Sequence, residues 1–552
     1  MPRQGGRLNL PLGRTTRTAP TPAAGFGPQA GRCVPATQAV RDRLRSPLAV
    51  GAGVVGLLAV SLALRLEGRG DWLWMDEGIS IGIASHSPLR IPALLVKDGS
   101  PPLYYLLLHG WMEVVGRSEA QTHALSLVLA LVTVPLALWA GWSLFGRRVG
   151  WIVAVLAATS PFLSFFASET RMYTLAVVLA LVATTAHLHV FAFGRGRYLP
   201  LFVAALALLL YTHNWGLYLG LAAAVAVLPC VYAAPDRRVV LRRAAVGFGA
   251  VAVLFLPWVP TLLSQARHTG APWSPTPGVR EAVSVLAVVL GDESERVLVA
   301  LVLTAGLALV ALVRRPRRPE AAAAMALALL VGVSLAAGWA GAQLKPAWSP
   351  RYLAVLLPAL LLLAGLGLAR SGGAGLVALA IVLVVWIEPV GRVTGDREPL
   401  RVDNKAVDRQ LAALVGSRLR PGDLVVAAQM EEVPVLRYYL GPDLRFANPA
   451  GVVADPWVVD WRDAAARMAA ARPAALRPAV DALPAGGHVF LVCPADPDFS
   501  DLPWFRTMNQ RCAELRVAFA EAPDLRGVVV PGLDGYGEGG ERFLGLFEKV
   551  GP

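Results

Sequence analysis

"SPLAVGAGVVGLLAVSLALRL" occupies residues 46–66 and carries one charge, Arg65, near its end. A helix crosses the hydrocarbon core of a bilayer in about 20 mostly apolar residues, so this stretch predicts a membrane span. Arg41, Arg43 and Arg45 precede it. The run is long for a signal-peptide core and lacks a small-residue cleavage site, which predicts an uncleaved first helix with a cytoplasmic N-terminus. Residues 1–45, rich in Arg, Gly, Pro and Thr without apolar period, read as a disordered basic tail.

The same reading repeats along the chain. "HALSLVLALVTVPLALWAGWSLF" (123–145), "WIVAVLAATSPFLSFFAS" (151–168), "TLAVVLALVATTAHLHVFAF" (174–193) and "AAVGFGAVAVLFLPWVPTLL" (244–263) are further long apolar runs. Basic clusters separate them: "GRR" (146–148), "GRGR" (194–197), "PDRRVVLRR" (235–243) and "RRPRRP" (314–319). Basic loops stay cytoplasmic, and placing all four on one side gives about eleven to thirteen spans. An odd count leaves the C-terminus outside. "PPLYYLLLHGWMEVVG" (101–116) and "EAVSVLAVVLG" (281–291) are the two segments short enough to lie in the interface instead.

Composition agrees. Of 552 residues, 55% are hydrophobic and 16% charged, against about 25% charged in soluble proteins, and the mean hydropathy is +0.54. The net charge of +13 falls in the interhelical arginine clusters, where it reads as a topology signal rather than a nucleic-acid surface. After about residue 393 the apolar runs stop. "DLVVAAQ" and "GGHVFLVCP" read as strands, "EVPVLRYYLG" and "WRDAAARMAAARPAALRPAVDAL" as helical, which predicts a small α/β domain. The expected organisation is a tail at 1–45, a polytopic α-helical membrane domain at 46–392 with a first extracytoplasmic loop at 67–100, and a soluble extracytoplasmic α/β domain at 393–552. Of the four cysteines, Cys33, Cys230, Cys493 and Cys512, none has metal-type spacing. Cys493 and Cys512 share the C-terminal domain, either as an extracytoplasmic disulfide or as two unpaired core thiols.

Polar residues near a bilayer are costly and usually functional. On the predicted outer side lie Asp76 and Glu77 in "WLWMDEGIS", then Asp98, Tyr104, Tyr105 and His109. Glu169, Arg171 and Tyr173 follow, then His213, Asn214 and Trp215, and finally Lys345, Arg351 and Tyr352. The cytoplasmic ends carry simple arginine clusters, and His187 and His189 there read as structural. A carboxylate can take the proton of an acceptor hydroxyl, guanidinium groups hold phosphate through charge-assisted bonds, and Tyr and Trp suit sugar faces and the headgroup region. That set fits a sugar carried on a lipid phosphate, with cations stabilising the leaving group. The bland alternatives are a solvated acidic loop pair at 76–77, loop charges at Glu169 and Arg171, and an Arg351 that merely snorkels.

Four motifs carry a family resemblance: "MDEG" (75–78), "SPPLYYLLLHGW" (100–111), "SETRMYTL" (168–175) and "SPRYLAVLLPAL" (349–360). In this order the chain resembles the GT-C glycosyltransferases, in the branch with protein O-mannosyltransferases and aminoarabinose transferases, over residues 50–390. The resemblance implies an inverting membrane transferase that moves a sugar, mannose by preference, from a polyprenyl phosphate to a glycan, lipid or protein acceptor at the extracytoplasmic face. It implies Asp76 as base with Glu77 beside it, and Arg171 and Arg351 on the donor phosphate. Ser100 stands where relatives often carry His, or Lys preceded by Glu, which leaves Asp98 as the local acid. No cofactor is implied, with room for a divalent metal. The competing expectations are a transporter or flippase of lipid-linked sugars, and a scaffold for the C-terminal domain. A transporter places polar groups at mid-membrane on repeated, broken helices, and no internal repeat is visible.

Overall fold

A computed structural model of the protein describes residues 47–66, 72–291, 296–313, 318–390, 407–494, 501–531 and 543–551. The basic tail at 1–45, the start of the first loop and the boundary near residue 393 lie outside these residues. Residues 54–552 form one compact unit.

Among the described residues, six helices are long and apolar enough to cross a membrane: Pro47–Leu66, Glu119–Phe145, Tyr173–Ala192, Gly216–Ala233, Arg237–His268 and Pro319–Leu344. Shorter apolar helices run over Gly196–Leu210, Leu357–Arg370 and Gly372–Ile387, and Arg296–Val313 adds 18 residues. The run at 151–168 is divided. Ser160 accepts a hydrogen bond from Leu163 N and starts a new helix at Pro161, where proline's missing N–H costs nothing. Arg65 is buried, and its guanidinium donates to the carbonyls of Ala157 and Ala158 at 3.0 and 3.2 Å. It thereby caps the C-terminal end of the Arg147–Thr159 helix, the negative end of its dipole.

Both segments left open between span and interface are short helices, Leu103–Val115 and Val279–Val289. Neither reaches the length of a span. The first packs against another short helix, Met75–Ala84, and with it and Ile91–Asp98 makes up the connection between the first two long helices.

The C-terminal part is a six-stranded mixed sheet. Its strands are β1 (Leu424–Ala427), β2 (Arg445–Asn448), β3 (Gly451–Val452), β4 (His488–Val492), β5 (Leu525–Val528) and β6 (Leu544–Lys549). They lie in the order β3-β2-β1-β4-β6-β5, with β1 parallel to β2 and β4 and the other pairs antiparallel. β1 is buried along its whole length, as a central strand covered on both faces must be. Cys493, just after β4, forms a disulfide with Cys512 of the Pro503–Ala520 helix.

This domain sits directly on the Met75–Ala84 helix. A Cβ at Gly78 would lie 2.7 Å from Val435, and one at Gly82 would lie 2.3 Å from the Trp457 carbonyl. The two glycines, four apart, share one helix face and let the domain's backbone press against it. Tyr439 tightens the joint by accepting from Leu73 N at 2.9 Å and donating to Glu119 at 2.7 Å.

Candidate active site

The Met75–Ala84 helix begins at Trp74, whose backbone is extended. Glu77, fully buried, folds back so that one oxygen accepts from Trp74 N at 3.2 Å. Its other oxygen accepts from Thr170 N at 2.7 Å and pairs with His123 Nε2 at 2.6 Å. One carboxylate therefore fixes the helix start, the Glu119–Phe145 helix and the 168–172 loop to one another. The fixed start carries Asp76 in the first turn, where the helix dipole favours negative charge.

Two arginines from distant segments meet Asp76. Arg351 Nη1 donates to Asp76 Oδ2 at 2.7 Å, and Arg171 Nη2 lies 3.7 Å from the same oxygen. Arg171 Nη1 also donates to the Asp76 carbonyl at 3.1 Å and to Ser80 Oγ at 3.0 Å. The Arg351 guanidinium lies among aromatic rings, 4.9 Å from Trp273, 5.4 Å from Trp74 and 5.8 Å from Tyr352. Such stacking holds a guanidinium flat and partly dry. The Nε atoms of Arg171 and Arg351 are buried without a hydrogen-bond partner among the described residues, so each cation keeps donor capacity in reserve.

A cavity of about 380 Å³ opens beside this triad, within the range of small-molecule sites, about 300–1,000 Å³. Asp76, Arg171, Tyr173, Arg351 and Tyr352 line it, as do Asp98, His213, Asn214, Trp215 and Lys345. These ten came from the sequence, drawn from the ends of separate helices. Asn214 donates to the Gly99 carbonyl at 2.9 Å and Leu103 N donates to the Tyr211 carbonyl at 2.8 Å, so the 99–103 loop is pinned to the 211–214 turn. Gly99 has φ +98°, a left-handed conformation that suits glycine, and it turns the chain between Asp98 and Ser100.

Five sequence candidates do not line the cavity. Glu77 ties segments together as described. Tyr105 donates to Asp98 at 3.3 Å and stands edge-on to Tyr104 at 5.9 Å, both fully buried. His109 Nδ1 meets the Ala84 carbonyl at 2.9 Å, at the far end of the Met75–Ala84 helix. The Glu169 carbonyl accepts from Ser126 Oγ at 2.5 Å and from Arg171 N at 2.8 Å. Gln265, Trp273 and Trp461 are among the wall residues that were not sequence candidates. Trp273 had a signal, the Pro/Trp-rich loop at 268–278. Gln265, just past the apolar run at 244–263, and Trp461, in the C-terminal domain, had none.

The charges are tuned by burial. Desolvation, aided by Arg171 and Arg351, lowers the His213 imidazole to about 3, so the ring is neutral. Its Nδ1 accepts from Trp215 N at 3.1 Å, which places the remaining proton on Nε2. Burial raises the Asp98 carboxyl, against the opposing pull of Ser100 and Arg171. Among the described residues no group of three or more His, Cys, Asp or Glu side chains could hold a metal ion, and Asp76 is already committed to two guanidinium groups. The donor set does not fit a divalent ion, and no step below is routed through one.

No family profile matches the chain, and no curated protein matches it in sequence. Solved structures match it in shape. ArnT from Cupriavidus metallidurans bound to undecaprenyl phosphate is 15% identical over 89% of this chain and 97% of its own, with a TM-score of 0.57. The chain has the GT-C fold. The apo form of the same ArnT gives a TM-score of 0.54 at 15% identity, covering 90% and 98% of the two chains. A second GT-C structure, the archaeal oligosaccharyltransferase AglB from Archaeoglobus fulgidus in complex with an inhibitory peptide and a dolichol-phosphate, gives 0.51 at 10% identity over 80% and 69%. The GT-C likeness covers both the helical part and the C-terminal sheet domain.

Proposed function

We propose that this chain is an integral-membrane glycosyltransferase that moves a sugar, a hexose such as mannose, from a polyprenyl phosphate to a hydroxyl of an extracytoplasmic glycan, lipid or protein. The observation that carries the reading is the convergence of Asp76, Arg171 and Arg351 on one cavity. The undecaprenyl phosphate and dolichol-phosphate bound in the GT-C neighbours support it.

In this mechanism the donor phosphate competes for the guanidinium groups of Arg351 and Arg171, whose spare Nε donors suit bidentate oxygen contacts. Asp76, released from Arg351, accepts the proton of the acceptor hydroxyl. The acceptor oxygen forms a bond to the anomeric carbon as the bond from that carbon to the phosphate oxygen breaks, with inversion. The electron pair leaves with the phosphate, and the two cations stabilise the charge that builds there. Neutral His213, with Nε2–H free to donate, adds a hydrogen bond without adding charge. Glu77 and His123 hold the helix that carries Asp76. The basic clusters at 146–148 and 235–243 flank the helix ends away from this cavity, and with the Cys493–Cys512 disulfide they favour an extracytoplasmic site.

The test is transfer from a synthetic polyprenyl-phosphate hexose by the purified full-length chain in nanodiscs. Wild type transfers sugar and Asp76→Asn does not, while both bind the bare lipid phosphate. Undiminished transfer by Asp76→Asn overturns the assignment.

A further inference from the structure

Part of the cavity lining beyond the arginines has a chemistry of its own. Gln265 is buried, and its Nε2 donates to the carbonyls of Leu95 at 2.8 Å and Ser100 at 3.3 Å. Two carbonyl partners fix the amide's orientation, since the flipped amide would set oxygen against oxygen. Its Oε1 is left without a hydrogen-bond partner among the described residues, and Gln265 lines the cavity. A buried acceptor left unmatched is costly, and each such group calls for an explanation.

Two further groups share the wall. The Asp98 carboxyl lines the cavity within electrostatic reach of both Arg171 and Asp76. Trp461 is the C-terminal domain's contribution to the cavity lining. Its backbone N–H donates to the Lys97 carbonyl at 2.9 Å, and its ring stands 5.9 Å from that of Trp504. Asp98, Gln265 and Trp461 therefore add two oxygen-bearing side chains and an indole to the cavity that the two cations line. A ligand that satisfies both sides is anionic at one end and a hydrogen-bond donor at the other.

Resting on the glycosyltransferase reading, we infer that Asp98, Gln265 and Trp461 form the subsite for the donor's sugar ring, selecting a sugar whose edge carries hydroxyl or amine donors and rejecting one with a carboxylate. The C–H face of the ring packs on Trp461, while its donors reach Gln265 Oε1 and Asp98. A uronate would set its own anion against the Gln265 oxygen and the Asp98 carboxyl in a partly dry site. The C-terminal domain then completes the donor site.

The experiment titrates the full-length chain in nanodiscs with three lipids: bare polyprenyl phosphate, its neutral hexose ester and its hexuronate ester, read by tryptophan fluorescence. The neutral ester is expected to bind about tenfold or more tighter than the uronate, since acceptors left unpaired or set against an anion discriminate at that level. Trp461→Ala is expected to lose about tenfold for the neutral ester and to leave the bare phosphate within about twofold. Equal or tighter binding of the uronate overturns the subsite while the glycosyltransferase reading stands. Equal loss for all three lipids in Trp461→Ala shows a structural role and also overturns it. Failure of wild type to bind any of the three overturns both readings together.

Discussion

Arg351 and Asp76, 275 positions apart in the chain, share a 2.7 Å hydrogen bond. The group proposed to hold the donor phosphate thus also holds the group proposed to take the acceptor's proton. An anion that draws Arg351 away makes Asp76 a freer base, so donor binding and base activation are one event.

Arg351→Gln removes the cation and keeps a polar side chain of similar length. Hydrogen bonds to charged groups contribute about 1.5–3 kcal/mol, so the donor KM is expected to rise about tenfold to a hundredfold. Arg351→Lys restores the charge without the planar fork and should recover part of the loss. Steady-state kinetics with varied donor check both. An unchanged KM in Arg351→Gln removes the residue from the phosphate site.

Asp76→Asn should behave differently. General-base removal costs about 10²–10⁴ in rate and falls on kcat. Binding of bare polyprenyl phosphate should hold or tighten, because Arg351 loses its competing carboxylate. Single-turnover rates alongside lipid binding separate the two effects.

Gly82→Ala tests the seat of the C-terminal domain. The added methyl would sit 2.3 Å from the Trp457 carbonyl, and overpacking of this kind costs about 1–3 kcal/mol. The melting temperature should fall, and limited proteolysis should release the C-terminal domain sooner than in wild type. Val239→Ala, on an exposed part of the Arg237–Phe255 helix, serves as the control.

Glu431 gives a pH prediction. Burial pushes its carboxyl from 4.5 up to about 7, so the folded state binds its proton more tightly than the unfolded chain. Its contribution is fully present below pH 4.5 and is lost as pH rises through about 7, on the order of 3 kcal/mol. Glu431→Gln keeps an acceptor for Gln429 and Trp504, which donate to Oε1 at 3.0 and 3.3 Å. It should therefore flatten that part of the stability curve and raise stability at pH 8. Melting temperatures across pH 4–8 decide it.

The helical part was legible because one physical rule writes it plainly. "HALSLVLALVTVPLALWAGWSLF" became the Glu119–Phe145 helix and "TLAVVLALVATTAHLHVFAF" became Tyr173–Ala192, since only long apolar runs can span a bilayer. The run at 244–263 was read short. The structure continues it from Arg237 to His268, through Pro257 and Pro260, which fall at helix-start positions where proline is tolerated. In the sheet domain, β1 and β4 were legible as apolar runs between turns. The two-residue β3 and the half-exposed β5 carry too little pattern to be read alone.

The site was legible wherever a residue broke the apolar background at a helix end, as Asp76, Arg171 and Arg351 do. Glu77 was not separable from Asp76, because its partner His123 lies 46 positions away and the pairing exists only after folding. Gln265 and Trp461 look ordinary in sequence. Their meaning comes from the Leu95, Lys97 and Ser100 carbonyls that anchor them.

The central claim is that Arg171 and Arg351 bind the phosphate of a lipid carrier beside Asp76. The most direct measurement is an electron cryo-microscopy structure of the full-length chain in nanodiscs with polyprenyl phosphate added. Phosphate density is expected within hydrogen-bonding distance of both guanidinium groups, with the 2.7 Å bond from Arg351 to Asp76 broken. A phosphate seated elsewhere, with that bond intact, contradicts it.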